Sequence, residues 1–124
     1  MSRTPLILVI EDSPTTREQV VRTLSLSGFR TYGAASAVQA AGMARREKPD
    51  LILTDVVLPD MDGDKAASLL RYEPSLADVP VVLMSALEKD ELRQRVADTG
   101  ASSAIPKPFT PGELVRHIRK AIGM

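Results

Sequence analysis

The chain has 124 residues, enough for one domain with its own core. Its 16 Lys and Arg balance its 16 Asp and Glu, so the formal net charge is zero, which argues against bulk electrostatic binding to nucleic acid or to an anionic membrane. The absence of cysteine excludes disulfides and thiolate–metal sites, four aromatic residues leave little for base stacking, and no apolar run or signal-peptide pattern marks a membrane or secreted protein, so a cytoplasmic one is expected.

Leu6 to Ile10 is a continuous apolar run, as in a strand covered on both faces. It ends in Glu11-Asp12. Ser13 as N-cap and Pro14 at the first helical position open a helix that turns Val20, Val21 and Leu24 inward and stops at Gly28. Phe29 to Ala34 reads as a more polar second strand, nearer an edge. Ser36 to Gln39 has capping-box spacing and begins a helix of small residues running to about Arg46. Lys48-Pro49-Asp50 breaks it. Leu51 to Thr54 is a third strand, followed at once by Asp55.

Leu58 to Gly63 is a loop of turn formers, and Lys65 to Tyr72 reads as a third helix. Val79 to Met84 is a fourth strand, ending at Ser85-Ala86. Glu88 to Asp98 is a fourth helix with Leu92 and Val96 inward, stopped at Gly100. Ala101 to Ile105 is a short fifth strand that ends in Pro106-Lys107-Pro108. Thr110 to Glu113 is a second capping box, and Leu114, Val115, Ile118 and Ile122 line the last helix. Five strands alternating with five helices predict a doubly wound α/β fold. Its five-stranded parallel sheet is flavodoxin-like, (βα)5, with strand order 2-1-3-4-5.

That topology would bring Glu11-Asp12, Asp55, Ser85-Ala86 and Lys107 to one rim, at the carboxyl ends of four strands. Taken alone, each has an ordinary reading: helix N-terminal acids, a turn acid, a strand-end hydroxyl, a surface lysine. Together they suit a phosphoryl group attached to a carboxylate. Acids crowded in one pocket repel, and an all-oxygen site that keeps several waters is what Mg²⁺ prefers. The lysine and the hydroxyl would meet the phosphoryl oxygens.

With these residues in place, the chain resembles a response-regulator receiver domain over essentially its whole length. The resemblance rests on Glu11-Asp12, Asp55, Pro59 and Gly63, Ser85-Ala86, Gly100-Ala101 and Lys107-Pro108-Phe109. It implies a single receiver domain over residues 1–124 with no effector domain. Such a domain would be a phosphorylation-activated switch of a two-component phosphorelay. Asp55 would be the phosphoacceptor, taking its phosphoryl group from the phosphohistidine of a sensor histidine kinase or a histidine phosphotransfer protein. Asp12, Asp55 and the backbone carbonyl of Val57 would bind Mg²⁺, with Glu11 acting through a water. Ser85 and Lys107 would contact the phosphoryl group, and the Lys107-Pro108 bond would be cis. A downstream output protein would meet the face of the fourth helix, fifth strand and fifth helix, with no direct role for nucleic acid or membrane. The chain would not be an enzyme beyond catalysing its own phosphorylation and slow dephosphorylation.

The pattern departs from the family at three places. Glu11 stands where Asp is more usual. Ala104 stands where the family usually carries Tyr or Phe, the ring that moves on activation, so the relay would use another element or be weak. Pro106 removes a backbone donor at the end of the fifth strand. Val57 and Leu87, which would flank the phosphoryl group, are apolar and cannot orient an attacking water, so slow loss of phosphate is expected. The alternative of another class is a pseudo-receiver, an interaction module that is never phosphorylated. A haloacid-dehalogenase phosphohydrolase would want an acid at Val57. A flavin carrier would not place Glu11-Asp12 against a phosphate. No P-loop is present.

Overall fold

The computed structural model describes residues 4–56, 65 and 73–124. Its elements run β1 (Leu6–Ile10), α1 (Pro14–Leu26), β2 (Arg30–Ala34), α2 (Ala37–Arg46), β3 (Leu51–Asp55), β4 (Val81–Ser85), α3 (Lys89–Thr99), β5 (Ser103–Pro106) and α4 (Pro111–Ala121). The predicted third helix, apart from Lys65, lies outside the described residues. So α3 and α4 are the fourth and fifth helices expected from the sequence. A short 3₁₀ turn, Pro74–Leu76, leads into β4.

All strand pairs are parallel, in the order β2-β1-β3-β4-β5. This is the flavodoxin-like arrangement expected from alternating strands and helices. β1 and β4 are buried at every position, and β3 at every position but Asp55. The alternation of side chains along each strand splits the core in two. One layer holds Leu8, Ile10, Ile52 and Leu83 under α2 and α3. The other holds Ile7, Val9, Leu53 and Met84 under α1 and α4. Helix α2 buries only alanines, Ala37, Ala40, Ala41 and Ala44.

The helices start where the caps were read. Ser13 Oγ accepts from the Thr16 amide at 3.3 Å, and Thr110 Oγ1 from the Glu113 amide at 3.1 Å. Ser36 Oγ accepts from the Gln39 amide at 3.2 Å, but the Gln39 side chain returns its bond one residue early, to the Ala35 amide. Gly28 and Gly100 follow α1 and α3 with φ of 97° and 72°, the left-handed conformation that glycine takes without strain.

Candidate functional site

The register of the sheet forms a staircase. Ile10 pairs with Thr54, Asp55 with Met84, and Ser85 with Pro106. Each candidate side chain therefore leaves its strand at or just past the last pairing. The rim predicted from the topology is real: residues 11, 55 and 107, remote in sequence, meet there.

Lys107 is the centre of the meeting. Its Nζ donates to Asp55 Oδ2 at 2.6 Å and to Glu11 Oε1 at 3.3 Å. The Glu11 side chain is only 4% exposed, against 16% for Asp55 and 25% for Lys107, so the pairs are largely out of water. Burial pushes the Glu11 carboxyl above the usual carboxylate range. The neighbouring Asp55 carboxyl pushes the same way, and Lys107 only partly offsets it. Burial alone would lower the Lys107 ammonium, but Asp55 and then Glu11 outweigh it and hold it above its ordinary value.

Ser85 is buried on the same rim. Its Oγ accepts from the Leu87 amide at 3.0 Å, which aims the hydroxyl and leaves its own proton to donate. The Lys107-Pro108 bond is cis, as the resemblance implied. Val57, Pro59 and Gly63 lie outside the described residues.

The acids are not equivalent. Glu11 is buried, whereas the adjacent Asp12 is exposed. Among the described residues no three acids or imidazoles form a ready metal cage. Mg²⁺ does not need one, because it keeps several waters and takes one or two carboxylates. Two observations fit a hard cation. The donor set is all oxygen, and Glu11 Oε2 is buried with no hydrogen-bond partner among the described residues. An unsatisfied buried carboxylate oxygen is costly unless a cation or an ordered water meets it.

One groove adjoins the rim and a second lies along β5. One, of about 670 Å³, runs beside Lys107 and is lined by Val20, Thr23, Phe109 and Leu114. The other, of about 330 Å³, lies between α3 and β5, where Leu92, Val96 and Ala104 line it.

Sequence reasoning missed Arg17. One turn into α1, it reaches back, and its Nη1 donates to the Glu11 carbonyl at 2.8 Å. A glycine inside a strand, Gly33 of β2, was the available signal, since such glycines mark close approach.

Five parallel strands in the order 2-1-3-4-5, with two acids and a lysine meeting at the carboxyl rim, define a flavodoxin-like α/β domain with a charged rim site. Comparison with known proteins gives the family: residues 7–119 match the response regulator receiver domain, and the chain belongs to that family. It is 40% identical over 113 residues to the phosphate regulon transcriptional regulatory protein PhoB of Klebsiella pneumoniae, covering 91% of this chain and 49% of that protein. The chain thus spans about half the length of the curated relatives it matches. Among solved structures it is similar to the chemotaxis response regulator CheY4 of Vibrio cholerae, with TM-score 0.90, 25% identity, and 96% and 99% of the two chains covered. It is also similar to the receiver domain of a Pseudomonas aeruginosa sensor histidine kinase, described with a magnesium ion in its active site cleft. There the TM-score is 0.88 and the identity 30%, over 98% of this chain and all of the other. No helix among the described residues is long and apolar enough to cross a membrane.

Proposed function

We propose that the chain is a phosphorylation-activated switch with Asp55 as phosphoacceptor. The observation that carries this is the triangle of Lys107, Asp55 and Glu11, which puts one cation on two acids from separate strands. The Asp55 carboxylate attacks the phosphorus of a phosphohistidine. An oxygen–phosphorus bond forms as the nitrogen–phosphorus bond breaks, and the leaving imidazole takes up a proton. Lys107 Nζ, already on Asp55, pairs with the incoming phosphoryl oxygens. Ser85 donates its hydroxyl proton to one of them. Glu11, Asp12, Asp55 and the Val57 carbonyl would hold Mg²⁺, which when bound offsets charge on the phosphoryl oxygens. Such a site needs little beyond positioning and charge.

The donor is a sensor histidine kinase or a histidine phosphotransfer protein. The apolar groove beside Lys107 gives such a partner a place to lay side chains while its histidine approaches the rim. The phosphorylated form signals to an output protein through the face of α3, β5 and α4. The chain turns over no external substrate and works in the cytoplasm.

The test is labelling with acetyl phosphate. One phosphoryl group per chain is expected with Mg²⁺, and none with EDTA or in Asp55→Asn. A folded parent that takes no label under any of these conditions would show the chain to be a constitutive interaction module instead.

A further inference from the structure

Among the described residues Arg17 forms no ion pair, yet its contacts are specific. The chain has only Glu11 and Asp12 to pass from β1 to the N-cap Ser13 of α1. Both ends of Glu11 are held. Its amide donates to the Ala34 carbonyl of β2 at 3.0 Å. Its carbonyl accepts from Arg17 Nη1 at 2.8 Å, a partly buried bond. That carbonyl belongs to the peptide joining Glu11 to Asp12. Fixing its plane fixes the directions in which the two acidic side chains leave the backbone.

The stem of Arg17 reaches this carbonyl across β2 at Gly33. A Cβ at Gly33 would lie 3.1 Å from Arg17 Cδ and 3.2 Å from Cγ, closer than ordinary contact. Any other residue there would require the arginine stem to give by a few tenths of an ångström. Gly33 has no positive φ, so its backbone conformation does not demand glycine; the space does.

We infer that Arg17, seated on Gly33, is a positioning residue that sets the Glu11–Asp12 peptide for cation binding. This rests on the Mg²⁺ site proposed above. Groups that orient ligands rather than touch the metal still govern affinity, by about 10- to 100-fold.

The experiment is Mg²⁺ titration by isothermal calorimetry, with urea unfolding in EDTA as a separate measure of the fold. Arg17→Met is expected to weaken Mg²⁺ by about tenfold or more. Arg17→Lys, which keeps one donor, should recover part of the loss. Gly33→Ala should weaken Mg²⁺ in the parent, yet add nothing on top of Arg17→Met, because the two act through one contact. If Arg17→Met does not fold, the comparison rests on Arg17→Lys and Gly33→Ala. Variants that unfold earlier in urea but bind Mg²⁺ like the parent would overturn the inference and leave the proposed function intact. A parent that binds no Mg²⁺ would overturn both.

Discussion

The Lys107 amide donates to the Ser85 carbonyl at 2.8 Å, tying the end of β5 to the end of β4 where lysine and hydroxyl leave the sheet. Peptide N–H groups alternate sides along a strand. With residue 107 bonding to β4, the nitrogen of Pro106 faces the open edge of the sheet. The donor that Pro106 lacks is therefore not a ladder donor, and an edge strand is where proline is tolerated. Pro106→Ala should lower stability only by about 0.4–1 kcal/mol, through the freer unfolded chain. Urea unfolding measures it. A loss of several times that size would mean the proline holds the strand end itself.

Glu11 is a buried acid raised above its unfolded value near 4.5, chiefly by burial. The folded state therefore binds this proton more tightly than the unfolded chain. Its contribution is favourable below about pH 4.5 and is lost as pH rises through the folded value. At neutral pH without Mg²⁺, Glu11→Gln should raise stability by about 1 kcal/mol or more, because the amide removes the buried charge and its repulsion with Asp55. The gain should shrink on acidification and narrow when Mg²⁺ is added. Equal unfolding midpoints for parent and variant at neutral pH in EDTA would contradict this.

His117 is the chain's only histidine. It is half-buried on α4, with Nε2 2.9 Å from Ser103 Oγ. Burial, aided by the Lys120 charge, lowers it from 6.5. The unfolded chain then takes up the proton first as pH falls. Stability is full above about 6.5, declines as pH falls towards the folded value and levels off below it. Urea midpoints read between about pH 7.5 and about pH 5.5 should slope in the parent and flatten in His117→Gln. The same slope in both would place the titration elsewhere.

Val57 and Leu87, placed by the family resemblance beside the phosphoryl group, offer no hydrogen bond to a water there. Val57→Asn supplies one. The phosphorylated variant should lose its label faster than the parent by about tenfold, less than the roughly 10²–10⁴-fold of a full general base, because an amide orients the water without taking its proton. Decay of the phosphorylated form after removal of the donor gives the rate, and an unchanged lifetime would count against shielding.

What the sequence made legible follows physical scale. Strands buried on both faces, Leu6–Ile10 and Val81–Ser85, leave apolar runs that cannot be mistaken for polar loops. A topology assembled from such runs brings Glu11, Asp55 and Lys107 to one edge without any knowledge of side-chain angles. The closeness of Lys107 to Asp55, 2.6 Å, depends on rotamers and lies beyond periodicity. So does the Arg17 bond, whose acceptor is a backbone carbonyl and leaves no mark in residue type. β5 was weak in the sequence because Ser103 and Ala104 are only half-covered at the sheet edge; its start moved by two residues and its end by one. The unequal burial of Glu11 and its neighbour Asp12 could not be read from two acids in a row.

Ala104 borders the groove of about 330 Å³ between α3 and β5. A side chain that is a single methyl group has no rotamer to exchange. Whatever this position conveys between the rim and the outer face, it conveys by displacement of its main chain. Such a displacement carries its ladder partner Leu83 and the packed Leu92 and Val96 with it. A swinging ring stores two settings in one torsion. At Ala104 two settings would instead be two placements of β5 against α3.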